Sequence, residues 1–270
     1  GAQHGWGEAG VAMPEVASSR YWDAVGPVGA MPIVLIHGAA LSRAVWLPQV
    51  EALRSEYRLL LPDLPGHGAL SSQRFELGTA GEMVSFLVES EAGGRALLVG
   101  ESLGGYVALA TAYSQPRMPV GLVLVGCSAN LTGLRGLAAR MRALFTREVV
   151  LRLLGEGRMV KATEAFLQRR YPADIVDALA HGGLTPRSRA DAFLELAGKD
   201  FAAMLRTIPC AVLILNGERD RVNRRGEYRF LASSSRGRLE TLPDAGRMAN
   251  LDAPDAFNQA MRRFARSLHW

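Results

Sequence analysis

A chain of 270 residues, 49% hydrophobic and 21% charged, is too apolar for disorder and too aperiodic for collagen or a coiled coil. It is long enough to bury roughly 75% of its unfolded surface, and no apolar run approaches the ~18 residues of a membrane span. The net charge of +5 comes from 29 arginines and two lysines against 26 carboxylates. The doublets Arg169–Arg170, Arg224–Arg225 and Arg262–Arg263 are scattered, without the basic stripe and interleaved aromatics of a nucleic-acid surface, so no nucleic-acid partner is expected.

The Gly-rich start has its first Met at position 13, and residues 1–12 read as a disordered lead or a cloning remnant. This stretch lacks the basic patch and apolar block of a signal peptide, so a soluble, cytoplasmic protein is expected. Arg20–Val25 suggests an antiparallel strand. Then come Val-, Ile- and Leu-rich runs at Pro32–His37, Tyr57–Pro62, Arg95–Gly100, Val120–Gly126, Cys210–Leu215 and Gly237–Leu242. None alternates cleanly, the pattern of parallel strands covered on both faces. Helical patterns lie between them at Trp46–Leu53, Gly81–Glu91, Leu103–Tyr113 and Ala253–Leu268. Strand and helix in alternation predict an α/β protein with a mostly parallel sheet.

The rhythm breaks over residues 129–207, which carry helical patterns and no convincing strand. There Leu134, Leu137, Met141, Leu144, Phe145 and Val149 recur at spacings of three and four, with Arg135, Arg140, Arg142 and Arg147 between them. A basic amphipathic helix suits a membrane surface. The preferred reading is an inserted helical cap, residues 129–207, whose apolar side faces a core made of residues 13–128 and 208–270. The two cysteines, Cys127 and Cys210, fall at opposite ends of what would be neighbouring strands. They read as buried thiols of a reducing compartment. No His or Cys spacing suggests a metal, no glycine pattern a nucleotide, and no cofactor is expected.

Chemistry concentrates at Gly100-Glu101-Ser102-Leu103-Gly104. This G-x-S-x-G follows an apolar strand and opens a small-residue helix, the context of a nucleophile elbow that lifts a serine hydroxyl above the sheet edge. The helix start behind Ser102 offers N–H groups to a developing oxyanion. Glu101 is expected to point away from the site.

With these residues the chain resembles the α/β-hydrolase family over nearly its full length, which implies that fold and its site. Ile36-His37-Gly38-Ala39-Ala40 is similar to the family's oxyanion loop, so Ala39 and Leu103 would give the two oxyanion N–H groups, with His37 and Gly38 shaping the ligand site. Asp63-Leu64-Pro65-Gly66-His67-Gly68 resembles the family's D-x-P-G-H-G turn. Leu215-Asn216-Gly217-Glu218-Arg219-Asp220 resembles the loop of the triad acid, which implies that role for Asp220. The segment before the last helix, Gly246-Arg247-Met248-Ala249-Asn250-Leu251-Asp252-Ala253-Pro254, matches the family's histidine segment except that Arg247 stands where the histidine belongs.

None of the five histidines (His4, His37, His67, His181, His269) occupies that place. An arginine cannot accept the serine proton, and Arg247 is expected instead to pair with Asp220. His181, in the cap, is preferred over the loop histidine His67 as a substitute base and is a candidate ligand-binding residue. Three functions fit: a serine hydrolase of a small apolar ester or lactone, impaired by Arg247; a non-hydrolytic lyase or cyclase in which Arg247 holds a carboxylate; and a ligand-binding pseudo-hydrolase. The apolar residues Leu144, Phe145, Leu154, Phe166, Phe193 and Leu196 suggest a mainly apolar ligand.

Overall fold

The computed structural model describes residues 17–18 and 21–270. The expectations for residues 1–12 and for Arg20 lie outside the described residues. Eight strands, β1 (Ala17–Ser18), β2 (Trp22–Val25), β3 (Pro32–Ile36), β4 (Arg58–Pro62), β5 (Ala96–Glu101), β6 (Pro119–Val125), β7 (Ala211–Gly217) and β8 (Gly237–Leu242), form one sheet. Their order is β1-β2-β4-β3-β5-β6-β7-β8. β2 runs antiparallel to both β1 and β4, and every pair from β4 to β8 is parallel.

Every residue of β3 to β7 is buried, which is why their sequences run continuously apolar. Alternation is still present, but between two apolar layers. Val34, Ile36, Leu98, Leu122 and Ile214 enter one layer, beneath the helices Leu77–Ala92, Leu103–Ser114 and Phe201–Leu205. Ile33, Leu35, Val99, Val123 and Leu213 enter the other, beneath Leu47–Leu53 and Pro254–Arg266. Parallel register pairs Val125 with Leu215 and Gly121 with Ala211, so Cys127 and Cys210 flank the pair at opposite ends as expected. Both thiols are buried and free.

Between β6 and β7 the chain inserts helices at Gly133–Phe145, Leu151–Leu154, Glu156–Gln168, Ala173–Gly182 and Pro186–Leu196, with a π turn at Thr146–Val150. Its two ends are tied together. Asn130 reaches Asp200 at 2.9 Å and accepts from the Ala202 N–H, and Gly198 donates to the Leu131 carbonyl at 2.7 Å. The Tyr106 hydroxyl donates to the Ala129 carbonyl at 2.6 Å, fixing the insert to the helix that follows Ser102.

One expectation fails here. The apolar side of the helix Gly133–Phe145 does not face the sheet: Leu134, Leu137, Met141 and Phe145 are 56–84% exposed. The helix packs inward through Gly136 and Ala143 instead. A methyl on Gly136 would fall 2.0 Å from the Leu131 carbonyl oxygen. Only a small residue permits that approach, so backbone proximity decides the buried face.

Candidate active site

The strand β5 ends at Glu101, and the helix Leu103–Ser114 begins one residue after Ser102. Ser102 bridges them with φ 51° and ψ −114°, a conformation a side-chain-bearing residue rarely adopts. Its N–H donates to the Val125 carbonyl at 2.8 Å, and the Gly126 N–H donates to Leu215 at 3.2 Å. These bonds line up the carboxyl ends of β5, β6 and β7.

Around that point the sequence-predicted residues converge unequally. Gly38, Ala39, Ser102, Leu103 and Arg247 all line one cavity of about 280 Å³. The Ala39 and Leu103 N–H groups have no acceptor among the described residues. Phe166, Phe193, Leu196 and Met248 give the cavity its apolar wall, whereas Leu144, Phe145 and Leu154 are not part of it. Asp220 lies behind the wall: a methyl on Gly126 would be 3.5 Å from both Asp220 Oδ2 and Arg247 Cγ.

The expected pairing of Arg247 with Asp220 is absent. The buried Asp220 carboxylate caps the helix Arg221–Arg224, accepting the Asn223 N–H at 3.2 Å on Oδ1 and its Nδ2–H at 2.6 Å on Oδ2. Asn223 also accepts from the Ser128 N–H, and Asn216 bridges Ser128 to Glu227. Asp220 therefore sits on a buried polar network that fixes it without a cation. No ion pair forms at Arg247 or Arg189 among the described residues, although both line the cavity. Arg170, also at the cavity, is committed to Asp252 through bonds of 3.1 and 2.7 Å.

The histidines lie elsewhere. His181 is exposed near the end of the helix Ala173–Gly182 and does not line the cavity, so its expected place in the ligand site is corrected. His37 is fully buried. Its Nε2 accepts the Leu64 N–H at 3.0 Å, so Nδ1–H donates to the Gly38 carbonyl at 2.8 Å. Both ring nitrogens are used, and the ring joins the Gly38 loop to the Asp63–Gly68 turn. That turn is held in turn by Asp63, which accepts the Arg43 and Ala69 N–H groups at 2.9 Å each. His67 Nδ1–H donates to the Pro65 carbonyl.

Glu101 is the residue that sequence reasoning missed. Its carboxyl is buried and packs at the Gly38 loop, where a methyl on Gly38 would fall 2.3 Å from Oε2. Oε2 has no partner among the described residues, and Glu101 is the one carboxyl-bearing residue of the cavity lining. Burial raises its pKa from the usual 4.5 to about 7, against the pull of the Arg247 and Arg189 guanidiniums. A carboxylic acid inside an otherwise apolar strand run was the available signal.

These buried groups set the acid limb of stability. Burial holds His37 at about 4 and His67 at about 3, so the unfolded chain takes up protons below pH 6.5 that the folded chain refuses. Stability from the two rings is full above pH 6.5 and is lost as pH falls. Glu101 acts oppositely, because the folded chain keeps its proton from pH 4.5 up to about 7. Between pH 4.5 and 6.5 two rings outweigh one carboxyl, giving a net loss of about 1.4 kcal/mol per pH unit on acidification. Urea midpoints across that window check this. Glu101→Gln should steepen the loss to about 2.7 kcal/mol per unit, and stability rising on acidification would contradict it.

A family model described as the alpha/beta hydrolase family matches residues 33–260. Among curated proteins, the dihydrolipoyllysine-residue acetyltransferase component of an acetoin cleaving system from Pseudomonas putida is 28% identical over 254 residues. That match covers 91% of this chain and 66% of that protein. A pimeloyl-[acyl-carrier protein] methyl ester esterase from Yersinia enterocolitica is 32% identical over 198 residues, 66% of this chain and 73% of that protein. Some matches to other such esterases span only about half of the esterase, 51% and 56%. Among solved structures, a hydrolase from Pseudomonas aeruginosa superposes with a TM-score of 0.76 at 25% identity, over 90% of this chain and 93% of that one. Sheet order, serine turn and the extent of the family match agree, and the chain belongs to the alpha/beta hydrolase family.

Proposed function

We propose that the protein binds and slowly cleaves small, mainly apolar esters or lactones that carry a carboxylate, through Ser102, with turnover held down by Arg247 in place of the base. One observation carries the reading. The cavity that holds Ser102 and the two unpaired N–H groups is lined by no histidine among the described residues, but by the unpaired guanidiniums of Arg247 and Arg189. The helical insert, residues 129–207, acts as the cap over the α/β core. The buried free thiols support a reducing, cytoplasmic setting.

In this reading the ester carbonyl oxygen sits between the Ala39 and Leu103 N–H groups. Ser102 Oγ forms a bond to the carbonyl carbon as its proton leaves, and the resulting negative oxygen is held by those donors. The C–O bond to the leaving group then breaks, and the alkoxide takes up a proton. Water repeats the sequence to release the acid. Asp220 and its Asn223 network remain in place for a histidine that is absent. Glu101, titrating near 7, is the group available to take the serine proton, directly or through one water. The relatives that act on esters support the class of reaction. The unpaired Arg247 beside the N–H groups also supports a second reading, a lyase or cyclase that holds a substrate carboxylate there.

Thermal unfolding with monomethyl esters of dicarboxylic acids, compared with the neutral dimethyl esters, tests the proposed ligand class. The monoesters should raise Tm, by about 2.7 kcal/mol of stabilisation at a hundredfold excess over Kd. Arg189→Met should weaken the affinity about tenfold, as loss of one charge-assisted bond predicts, which cuts that stabilisation to about 1.4 kcal/mol at the same ligand concentration. Equal responses to the neutral diesters would contradict a carboxylate-bearing ligand.

A further inference from the structure

The exposed face of the insert is an ordered feature. From Leu134 the large apolar residues run 134, 137, 141, 145, 149 and 153, along Gly133–Phe145, the π turn and Leu151–Leu154. Steps of four drift by about 40° each in an α-helix of 3.6 residues per turn. The wider π turn at Thr146–Val150 takes up that drift and keeps Leu153 in line. Leu134, Met141 and Leu153 are 84, 60 and 74% exposed, while the small residues Gly136 and Ala143 face inward.

Charge frames this stripe. At 100° per residue, Arg135 and Arg142 fall on one flank and Arg140 on the other, followed there by Arg147, which is paired with Glu148 and Asp191 at 3.6 Å each. No carboxylate occurs from residue 133 to residue 147. Arg135 and Arg140 are exposed and form no ion pair among the described residues, and Arg142 lies 5.6 Å over the ring of Phe193, a wall of the cavity. One flank of this face thus touches a residue of the cavity wall.

We propose that the face formed by residues 133–154 docks the protein on an anionic lipid surface, with the apolar stripe in the acyl boundary and the flanking arginines at the headgroups. A convex apolar rod bordered on both sides by cations and free of carboxylates over its first four turns complements such a surface along its length. An acidic protein would have to supply a matching groove. No helix among the described residues is long and apolar enough to cross a membrane, so the contact is with the surface. The inference rests on the insert and is independent of the chemistry at Ser102.

The test is co-sedimentation of the full chain with phosphatidylcholine vesicles, with and without phosphatidylglycerol, over a range of salt. Binding should require the anionic lipid and weaken as salt rises. Leu137→Ser with Met141→Ser should lower the partition coefficient at least about tenfold, since each buried methylene is worth about fourfold. Arg135→Gln with Arg140→Gln should lower it several-fold and flatten the salt dependence. All four positions are exposed, so Tm should not fall, and an unchanged Tm separates lost docking from lost folding. Absence of vesicle binding, or binding that the Leu137 and Met141 changes leave intact, would overturn the proposal. So would a dimer held by these residues, or an acidic polypeptide that takes the face in preference to vesicles.

Discussion

Arg247→His is expected to raise hydrolysis of p-nitrophenyl acetate and butyrate by about 10²–10⁴-fold, the range a positioned general base supplies. The increase should appear in kcat, because the change adds a proton acceptor used in the transition state rather than a ground-state contact. The site is prepared for it. Asp220 is buried, fixed by Asn223 and adjacent to residue 247 across Gly126, where it can accept the Nδ1–H of an imidazole and leave Nε2 toward Ser102. Adding Ser102→Ala to the revertant should return the rate to background. A folded revertant no faster than the parent would remove the hydrolase reading and favour the lyase or binding alternatives.

Gly104→Ala should cost more than about 3 kcal/mol of stability and remove whatever Ser102 reactivity the chain has. The Cβ would fall 2.1 Å from the Ile36 carbonyl oxygen and 2.6 Å from that of His37, both backbone atoms of the strand end that leads into Gly38 and Ala39. No rotamer relieves such a contact, so either the helix start or the oxyanion-loop candidate must move. Gly78→Ala, in the helix Leu77–Ala92 with nothing within 4 Å of the new methyl, should instead stabilise by about 0.5–1 kcal/mol. Urea unfolding of both variants checks the contrast. A Gly104→Ala protein as stable as the parent would mean the close approach at the serine turn is not required.

The alternation of apolar runs with helical periods was enough to place β3 to β8 within a residue or two. For β3 to β7 this is because strands buried on both faces have little freedom in composition, whereas the edge strand β8 is only partly buried. The helix Leu77–Ala92 begins a turn earlier than expected, since Gly78 and Gly81 weaken the local signal while burial of Leu77 and Ala80 overrides it. The short helices Glu227–Ser233 and Ala249–Asp252 have too few residues to show a period. In the insert, periodicity correctly located the helix Gly133–Phe145 but not its orientation, which a backbone contact at Gly136 decides. At the site, the serine turn was readable because backbone close approaches dictate Gly100 and Gly104, and the Gly38–Ala39 loop through its resemblance to the family's oxyanion loop. The Asn223–Ser128–Asn216 network under Asp220 was not, since it joins residues far apart in sequence. Nor was the burial of Glu101, which depends on how the Gly38 loop folds over the end of β5.

In the proposed reading Ser102 stands in a hydrolase-type site whose proton acceptor is weak rather than missing altogether. The decisive experiment is the rate at which an activated phosphonate ester labels the unaltered chain, followed by intact mass and peptide mapping. A single adduct on Ser102 is expected, formed slowly, with a rate that rises as pH passes through about 7 while Glu101 ionises. That rise should be absent in Glu101→Gln, and labelling should be accelerated by Arg247→His. Fast, pH-independent labelling of the unaltered chain, or an adduct that survives Ser102→Ala, would contradict it.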